Sequence, residues 1–440
     1  MAFATNRAVA RRLTGYQRTR PVAVRTAEQA YGTNRVEQAL ILGTIALVPL
    51  QSMISLIPGF SVMWLMFAAQ AGYVLIKRRD CLTRVWNHPL LLSVYVFLCI
   101  GYVVEGFHPF SDYGEIYQMI QSFAGAAFLA SLCRDRPALR AAMYGYLVVS
   151  LYTSKSLLSS YGTLSTATAD NYREADQLRA AVFDDNPLSY DLNGLAFITA
   201  QGAGIALALG LTAESARARY FFLSLAAVFG VATFLPMSRS GVVILIFICG
   251  SVLWSYGVTR IKTLVIAMLL GAAMVMFIPH SVLQRLSFTT ERDEFGRLEG
   301  RAQIYTAFFH HLPEFVSTGV GVGNFKTYWG PRSMFNPNGR GTSRAHNVFF
   351  QMTIYWGIPG LLGLLAIIWQ GYWCLPSTYK NDGLAIGILC VAVSSLLLGF
   401  VVHTFYAKEF AIGIGLVAGA QRWIWTKKPE LHLRRQRSLA

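Results

Sequence analysis

Residues 339–360 read GRGTSRAHNVFFQMTIYWGIPG. The stretch opens polar and basic, turns apolar at Asn347, and stays so to about residue 375. A bilayer core is crossed by about 20 helical residues, so the run 347–375 is long enough to span one. WGIPG, near its middle, marks a kink or a short interfacial helix before the true span. At the changeover stands one imidazole, His346, with Arg344 just before it and Asn347 just after. An ionisable ring at the mouth of an apolar helix raises two questions: which side of a membrane it faces, and what it does there.

Working outward, the whole chain has the same character. Of 440 residues, 54% are hydrophobic and 14% charged, and the mean hydropathy is +0.43. A soluble protein carries about 25% charged residues. The net charge of +16 fits Lys and Arg gathered in cytoplasmic loops beside anionic lipid head groups. No nucleic-acid-binding module accompanies it. The six cysteines include no CxxC pair and none lies in a long polar loop, so neither disulfides nor a structural zinc site is expected.

About twelve apolar stretches approach spanning length: 37–57, 60–76, 90–106, 114–133, 139–158, 191–211, 219–236, 240–257, 262–279, 347–375, 383–402 and 409–426. The expected fold is therefore an all-α polytopic membrane protein with about twelve transmembrane helices. A basic cytoplasmic tail (1–36) precedes the membrane domain (37–426), and a second basic tail (427–440) follows it. The loops KRRDCLTR, CRDRPALR, ESARAR and TRIK all fall on the side of the N-terminal tail, which the positive-inside rule makes cytoplasmic. Both termini then lie in the cytoplasm. Two long connections, 159–190 and 280–346, face the other side. The second is too long for a connector and contains GRAQIYTAFFHHLPEF, an amphipathic helix candidate for the membrane surface.

Three segments fall on that outer face. LRAAVFDDNPLSYDLNGLAF carries Arg179 and leads through Asp191 and Asn193 into the sixth span. PMSRSGVVIL places Arg239, between Ser238 and Ser240, at the start of the eighth. His346 opens the tenth. A helix N-terminus presents unsatisfied N–H groups and about half a positive charge, and an added guanidinium makes an anion site that suits phosphate or pyrophosphate. The same positive field opposes a second proton on His346. A neutral imidazole is a competent general base. Taken singly, Arg239 reads as a snorkelling interface residue with Ser238 as its helix cap, and His346 as structural. Their shared address on a face otherwise poor in positive charge is what points to a site. GVGVGNF, residues 319–325, has nucleotide-loop spacing but no preceding strand and reads as a turn. His310 and Glu314 sit four apart with no third metal ligand and read as a polar helix face.

At these residues the chain resembles the O-antigen ligase and O-antigen polymerase superfamily. The resemblance is carried by SRSG opening a span, by LRAAVFDDNPLSYDLNGLA before another, and by GRAQIY…GVGVGNF…SRAHNVFFQMTIYWGIPGLLGLL. It implies a GT-C-like helical membrane glycosyltransferase of the bacterial inner membrane. Such an enzyme moves a glycan from undecaprenyl pyrophosphate to a sugar hydroxyl at the periplasmic face, inverting the anomeric centre without metal or other cofactor. It implies His346 as the base, Arg179 and Arg239 on the pyrophosphate, and Arg344 and Arg301 as further phosphate contacts. Ser238, Ser240, Asn347, Asp191 and Asn193 are expected to support them, although Asp184, Asp185 and Asp191 sit uneasily beside an anion. The acceptor is lipid A–core for a ligase or a second lipid-linked glycan for a polymerase. Residues 280–346 hold eight Lys or Arg against five Asp or Glu, a positive rim that leans towards phosphorylated lipid A–core. A secondary transporter is the competing class, but transporters place ionisable groups at mid-membrane, and here Glu105, Lys155 and Arg422 sit near span ends.

Overall fold

The computed structural model describes residues 32–47, 55–57, 60–108, 113–168, 172–183, 192–256, 276–287, 301–333, 345–375, 382–400 and 408–421. Among the described residues the secondary structure is helical apart from one small hairpin. The helices are α1 (Arg35–Leu47), α2 (Val62–Lys77), α3 (Arg79–Trp86), α4 (Pro89–Glu105), α5 (Gly114–Leu132) and α6 (Arg136–Ser159). Next come α7 (Tyr161–Thr166), α8 (Tyr172–Phe183), α9 (Leu192–Thr212), α10 (Ala216–Phe234), α11 (Arg239–Ser255) and α12 (His280–Ser287). The last are α13 (Arg301–Phe315), α14 (Val322–Arg332), α15 (Val348–Cys374), α16 (Gly383–Gly399) and α17, residues 408–421. Where the first two expected spans adjoin, β1 (Ser55–Ile57) pairs antiparallel with β2 (Phe60–Ser61), with Ser55 opposite Ser61 and Ile57 opposite Phe60.

Every expected span except 262–279 overlaps a described helix, and most of that one lies outside the described residues. Among the described residues, α9, α10 and α15 are long and apolar enough to cross a membrane, and α3 with α4 make a fourth span if the 67° bend between them is counted within it. Shorter apolar helices are α2, α11 and α16. The long connections hold helices of their own: α7 and α8 in 159–190, and α12, α13 and α14 in 280–346.

The hub is α9, LNGLAFITAQGAGIALALGLT, buried on nearly every face and packed against α6, α10, α11 and α16. In lipid, apolar helices gain little from hiding side chains from water and associate through close van der Waals fit, which small residues permit. A Cβ on Gly202 would lie 2.1 Å from Ser150 Oγ, and one on Gly204 would lie 2.0 Å from Ile248 Cγ2. Hydrogen bonds between helices complete the fit: Gln201 donates to Ser394 (2.8 Å), Thr233 to Thr199 (3.1 Å), and Ser150 to the Ile198 carbonyl (2.9 Å).

These contacts fix the direction of each helix. Gln201 meets Ser394 and Gly383 meets Thr212, so α16 runs antiparallel to α9. Gly101 abuts Trp356 and Gly363 abuts Phe97, so α15 runs antiparallel to α4. Gly399, ending α16, lies beside Val348, which begins α15, and the Phe349 and Phe400 rings are 4.6 Å apart. The starts of α9, α11 and α15 and the end of α4 therefore share one end of the bundle.

The opposite end is tied by a buried ion network. Asn34 and Glu37 form a capping box: Asn34 Oδ1 accepts from Glu37 N–H (2.9 Å), and Glu37 Oε2 accepts from Asn34 N–H (3.0 Å). The same fully buried Glu37 carboxylate binds Arg78 (2.5 Å) and Arg134 (2.9 Å). Arg136 pairs there with Asp382 at 3.2 Å. Two of the basic loops, KRRDCLTR and CRDRPALR, thus converge on one carboxylate.

Candidate functional site

At the His346 end, the turn Pro236-Met237-Ser238 leads into α11. Ser238 is 2% exposed and caps the helix, its Oγ accepting from Gly241 N–H (3.2 Å). The hydroxyl hydrogen is donated to Asn193 Oδ1, 2.8 Å away on the first turn of α9. Ser238 has only that one hydrogen, so in the 2.9 Å contact between the two hydroxyls Ser240 is the donor. Asn193 Oδ1 also accepts from Arg179 Nη2 (3.2 Å), while Arg179 Nε donates to the Pro236 carbonyl (2.7 Å). Arg179, Asn193, Ser238 and Ser240, from α8, α9 and α11, thus form one connected group.

Arg239 is the first residue of α11 and half-buried; its Nη2 donates to the backbone carbonyl of Arg285 on α12 (3.4 Å). Arg285 in turn is 5% exposed and donates through Nη1 to the Met237 carbonyl. It was not among the expected site residues. Its local context, HSVLQRLS, looks like any short amphipathic helix, and a contact 48 positions away leaves no local pattern.

His346 is half-buried and immediately precedes the cap of α15. The cap is Asn347, whose Oδ1 accepts from the N–H groups of Phe349 (2.9 Å) and Phe350 (3.3 Å). The helix donors are thereby answered by Asn347, and His346 is left on the approach to the helix. Met237 (φ 54°) and His346 (φ 50°) are the non-glycine residues with left-handed backbone among those described. Such conformations are costly and gather at functional sites.

The two groups lie at similar depth. Asn193 is eight residues beyond Gln201, or ~12 Å at 1.5 Å per residue. Gly399, beside Val348, is five residues beyond Ser394, the partner of Gln201, or ~7.5 Å in the same direction. Arg301 opens α13, which reaches the first turn of α15 through stacking of Phe308 on Phe350 (3.8 Å). Arg344 and Asp191 lie outside the described residues, as do Asp184 and Asp185.

The remaining expectations resolve into structural roles. WGIPG is a kink: Gly357 has φ 63° inside α15. GVGVGNF is the turn that fills it. Val320 and Gly321 N–H groups donate to the Ile354 and Tyr355 carbonyls (2.8 and 3.0 Å), and Ile358 N–H donates to the Val316 carbonyl (2.7 Å). A Cβ on Gly319 would lie 2.2 Å from the Tyr355 carbonyl oxygen, so only glycine fits. The buried Glu105 carboxylate, from the end of α4, accepts from Val322 (2.7 Å) and Gly323 (3.2 Å) N–H groups and caps α14. Glu314 accepts from the Tyr328 hydroxyl (2.6 Å) and Arg332 Nε (3.2 Å) and pairs with His311 (2.6 Å), tying α13 to α14. The Tyr328 hydroxyl first, then His311, hold the Glu314 carboxyl well below the usual range, at about 2.

Compared with known families, residues 220–365 match a family model described as O-Antigen ligase. The match takes in the SRSG turn, α12, α13 and the His346 helix start, while Arg179 and Asn193 lie before it. No curated protein sequence matches the chain.

Proposed function

We propose that this membrane protein, whose residues 220–365 form an O-antigen ligase-family domain, transfers an undecaprenyl-pyrophosphate-linked glycan to a sugar hydroxyl at the periplasmic face. At family level it is a glycosyltransferase-like enzyme of the ligase or polymerase kind. The finer reading is an O-antigen ligase acting on lipid A–core in the bacterial inner membrane, with about twelve GT-C-like spans and both termini in the cytoplasm. One observation carries it: the Arg239 turn and the His346 helix start occupy the same end of the bundle at similar depth, opposite the end where the basic loops meet on Glu37.

In this reading His346 takes the proton from the acceptor hydroxyl. The oxygen attacks the anomeric carbon from the face opposite the leaving group, the new C–O bond forms as the bond to pyrophosphate breaks, and the configuration inverts. Charge then develops on the departing undecaprenyl pyrophosphate. Arg239 neutralises it, with Arg301 and Arg344 as further phosphate contacts; such stabilisation is strongest from preorganised groups where water is scarce. The activated donor supplies the driving force, and no cofactor is called for.

The ligase and polymerase readings differ in the acceptor, and the positive loop 280–346 favours a phosphorylated one. A deletion strain separates them. Loss of a ligase leaves long glycan on the undecaprenyl carrier and bare lipid A–core; loss of a polymerase leaves single repeats, already joined to lipid A–core. The ligase reading predicts the first pattern, and the second would overturn it.

A further inference from the structure

We propose that Arg179 and Arg285 are a pair of positioning residues that clamp the Pro236–Met237 turn and so present Arg239. This rests on the reading of Arg239 as the group that meets the donor pyrophosphate. It differs from the expectation that Arg179 itself grips the donor.

The turn carries two successive carbonyls, and each is held by a different guanidinium. Arg179 Nε donates to Pro236 (2.7 Å), and Arg285 Nη1 donates to Met237. The residue between the two clamps and the cap has φ 54°, a conformation that methionine adopts only when its surroundings impose it. The Met237 side chain is fully buried, in a hydrophobic cluster that also holds Leu157, Leu164, Leu195 and Val282. Neither clamp comes from the turn's own element, since Arg179 is on α8 and Arg285 on α12.

The link to Arg239 is reciprocal. Arg285 holds the turn through its side chain, and Arg239 donates back to the Arg285 backbone carbonyl (3.4 Å). Removing the Arg285 guanidinium therefore loosens both the peptide before Arg239 and the helix on which the Arg239 side chain rests. Arg179 is similarly committed to protein oxygens, Pro236 O and Asn193 Oδ1, and Asn193 passes the constraint to the Ser238 cap. At the Met237 carbonyl Arg285 supplies one N–H rather than a bidentate fork, so lysine can stand in for Arg285 far better than it could at a phosphate, whereas Arg179 spends two nitrogens on two acceptors.

The test is a double-mutant cycle on purified, full-length protein in nanodiscs, with undecaprenyl-pyrophosphate glycan as donor and lipid A–core as acceptor. Arg285→Met is expected to lower kcat/KM by at least about tenfold, and Arg285→Lys to stay within about threefold of wild type. In the Arg239→Ala background, Arg285→Met should cost no more than about threefold further, because the clamp acts on transfer through Arg239. Losses that multiply, or a lysine variant as poor as methionine, would overturn the clamp. Hydrogen exchange at the amides of residues 237–241 reads the turn independently of transfer. It should quicken about tenfold or more in Arg285→Met and remain near wild type in Arg285→Lys. Unchanged exchange in both would overturn the clamp even where transfer is seen. If wild type transfers nothing to lipid A–core, the ligase reading fails while exchange still decides the clamp. Should Arg285→Met fail to fold, Arg179→Met serves in the same cycle and the same exchange experiment, and unchanged exchange at residues 237–241 would overturn the clamp.

Discussion

His346 combines two properties that one substitution can separate. Its backbone is left-handed, a region that asparagine tolerates well. Its ring is the proposed base, which asparagine cannot replace. His346→Asn should therefore keep the fold, with an unchanged melting temperature, and lose roughly 10²–10⁴ in transfer rate, the usual contribution of a general base. A variant that transfers at the wild-type rate would remove the ring from the chemistry. Arg239 bears on the donor instead. Arg239→Ala should weaken donor binding by about 2–5 kcal/mol, the cost of truncating one side of a buried charged hydrogen bond. The measurement is a titration with undecaprenyl-pyrophosphate glycan, and an unaltered affinity would count against the anion site.

At the scale of elements, α15 is interrupted and the loop 316–323 repairs the interruption. The helix loses its regular bonding at Gly357, and Val316, Val320 and Gly321 supply the missing partners. Glu105 then anchors that loop by capping α14. Glu105→Ala would leave two N–H groups without their acceptor, so it should destabilise the protein by about 1–3 kcal/mol, seen as a lower melting temperature in detergent. The neighbouring tie is pH-sensitive. Because the folded Glu314 carboxyl titrates at about 2, below its ordinary 4.5, its contribution is complete above about 4.5 and fades as pH falls towards 2. The buried Trp329 on α14 reports it: its emission should shift on acidification across that window in wild type and not in Glu314→Gln.

For the molecule as a whole, the apolar runs were readable because spanning length and burial are local properties of sequence. Eleven of the expected spans overlap described helices, of which three, or four with the bent pair, are long and apolar enough to cross a membrane. SRSG and the helix start at Asn347 were readable too, since helix caps are short-range devices. What connects them was not. Arg285 reaches Met237 and Glu105 reaches Val322 across long separations, and a hairpin at Ser55–Ser61 stands where IPG alone separated the first two expected spans. The packing of α9 likewise depends on which glycine meets which neighbour: Gly204→Ala would press a methyl group into Ile248 and should cost about 1–3 kcal/mol, measured as thermal unfolding. The proposed chemistry, with arginines neutralising the leaving group, predicts that chelators leave transfer unaffected.

If His346 and Arg239 serve one reaction at one end of the bundle, transfer needs both. Purified protein is incubated with undecaprenyl-pyrophosphate glycan and lipid A–core, and the acceptor's mass is followed for wild type, His346→Asn and Arg239→Ala. A gain of one glycan is expected in wild type, and a much slower gain in either variant. Equal gains in all three would contradict it.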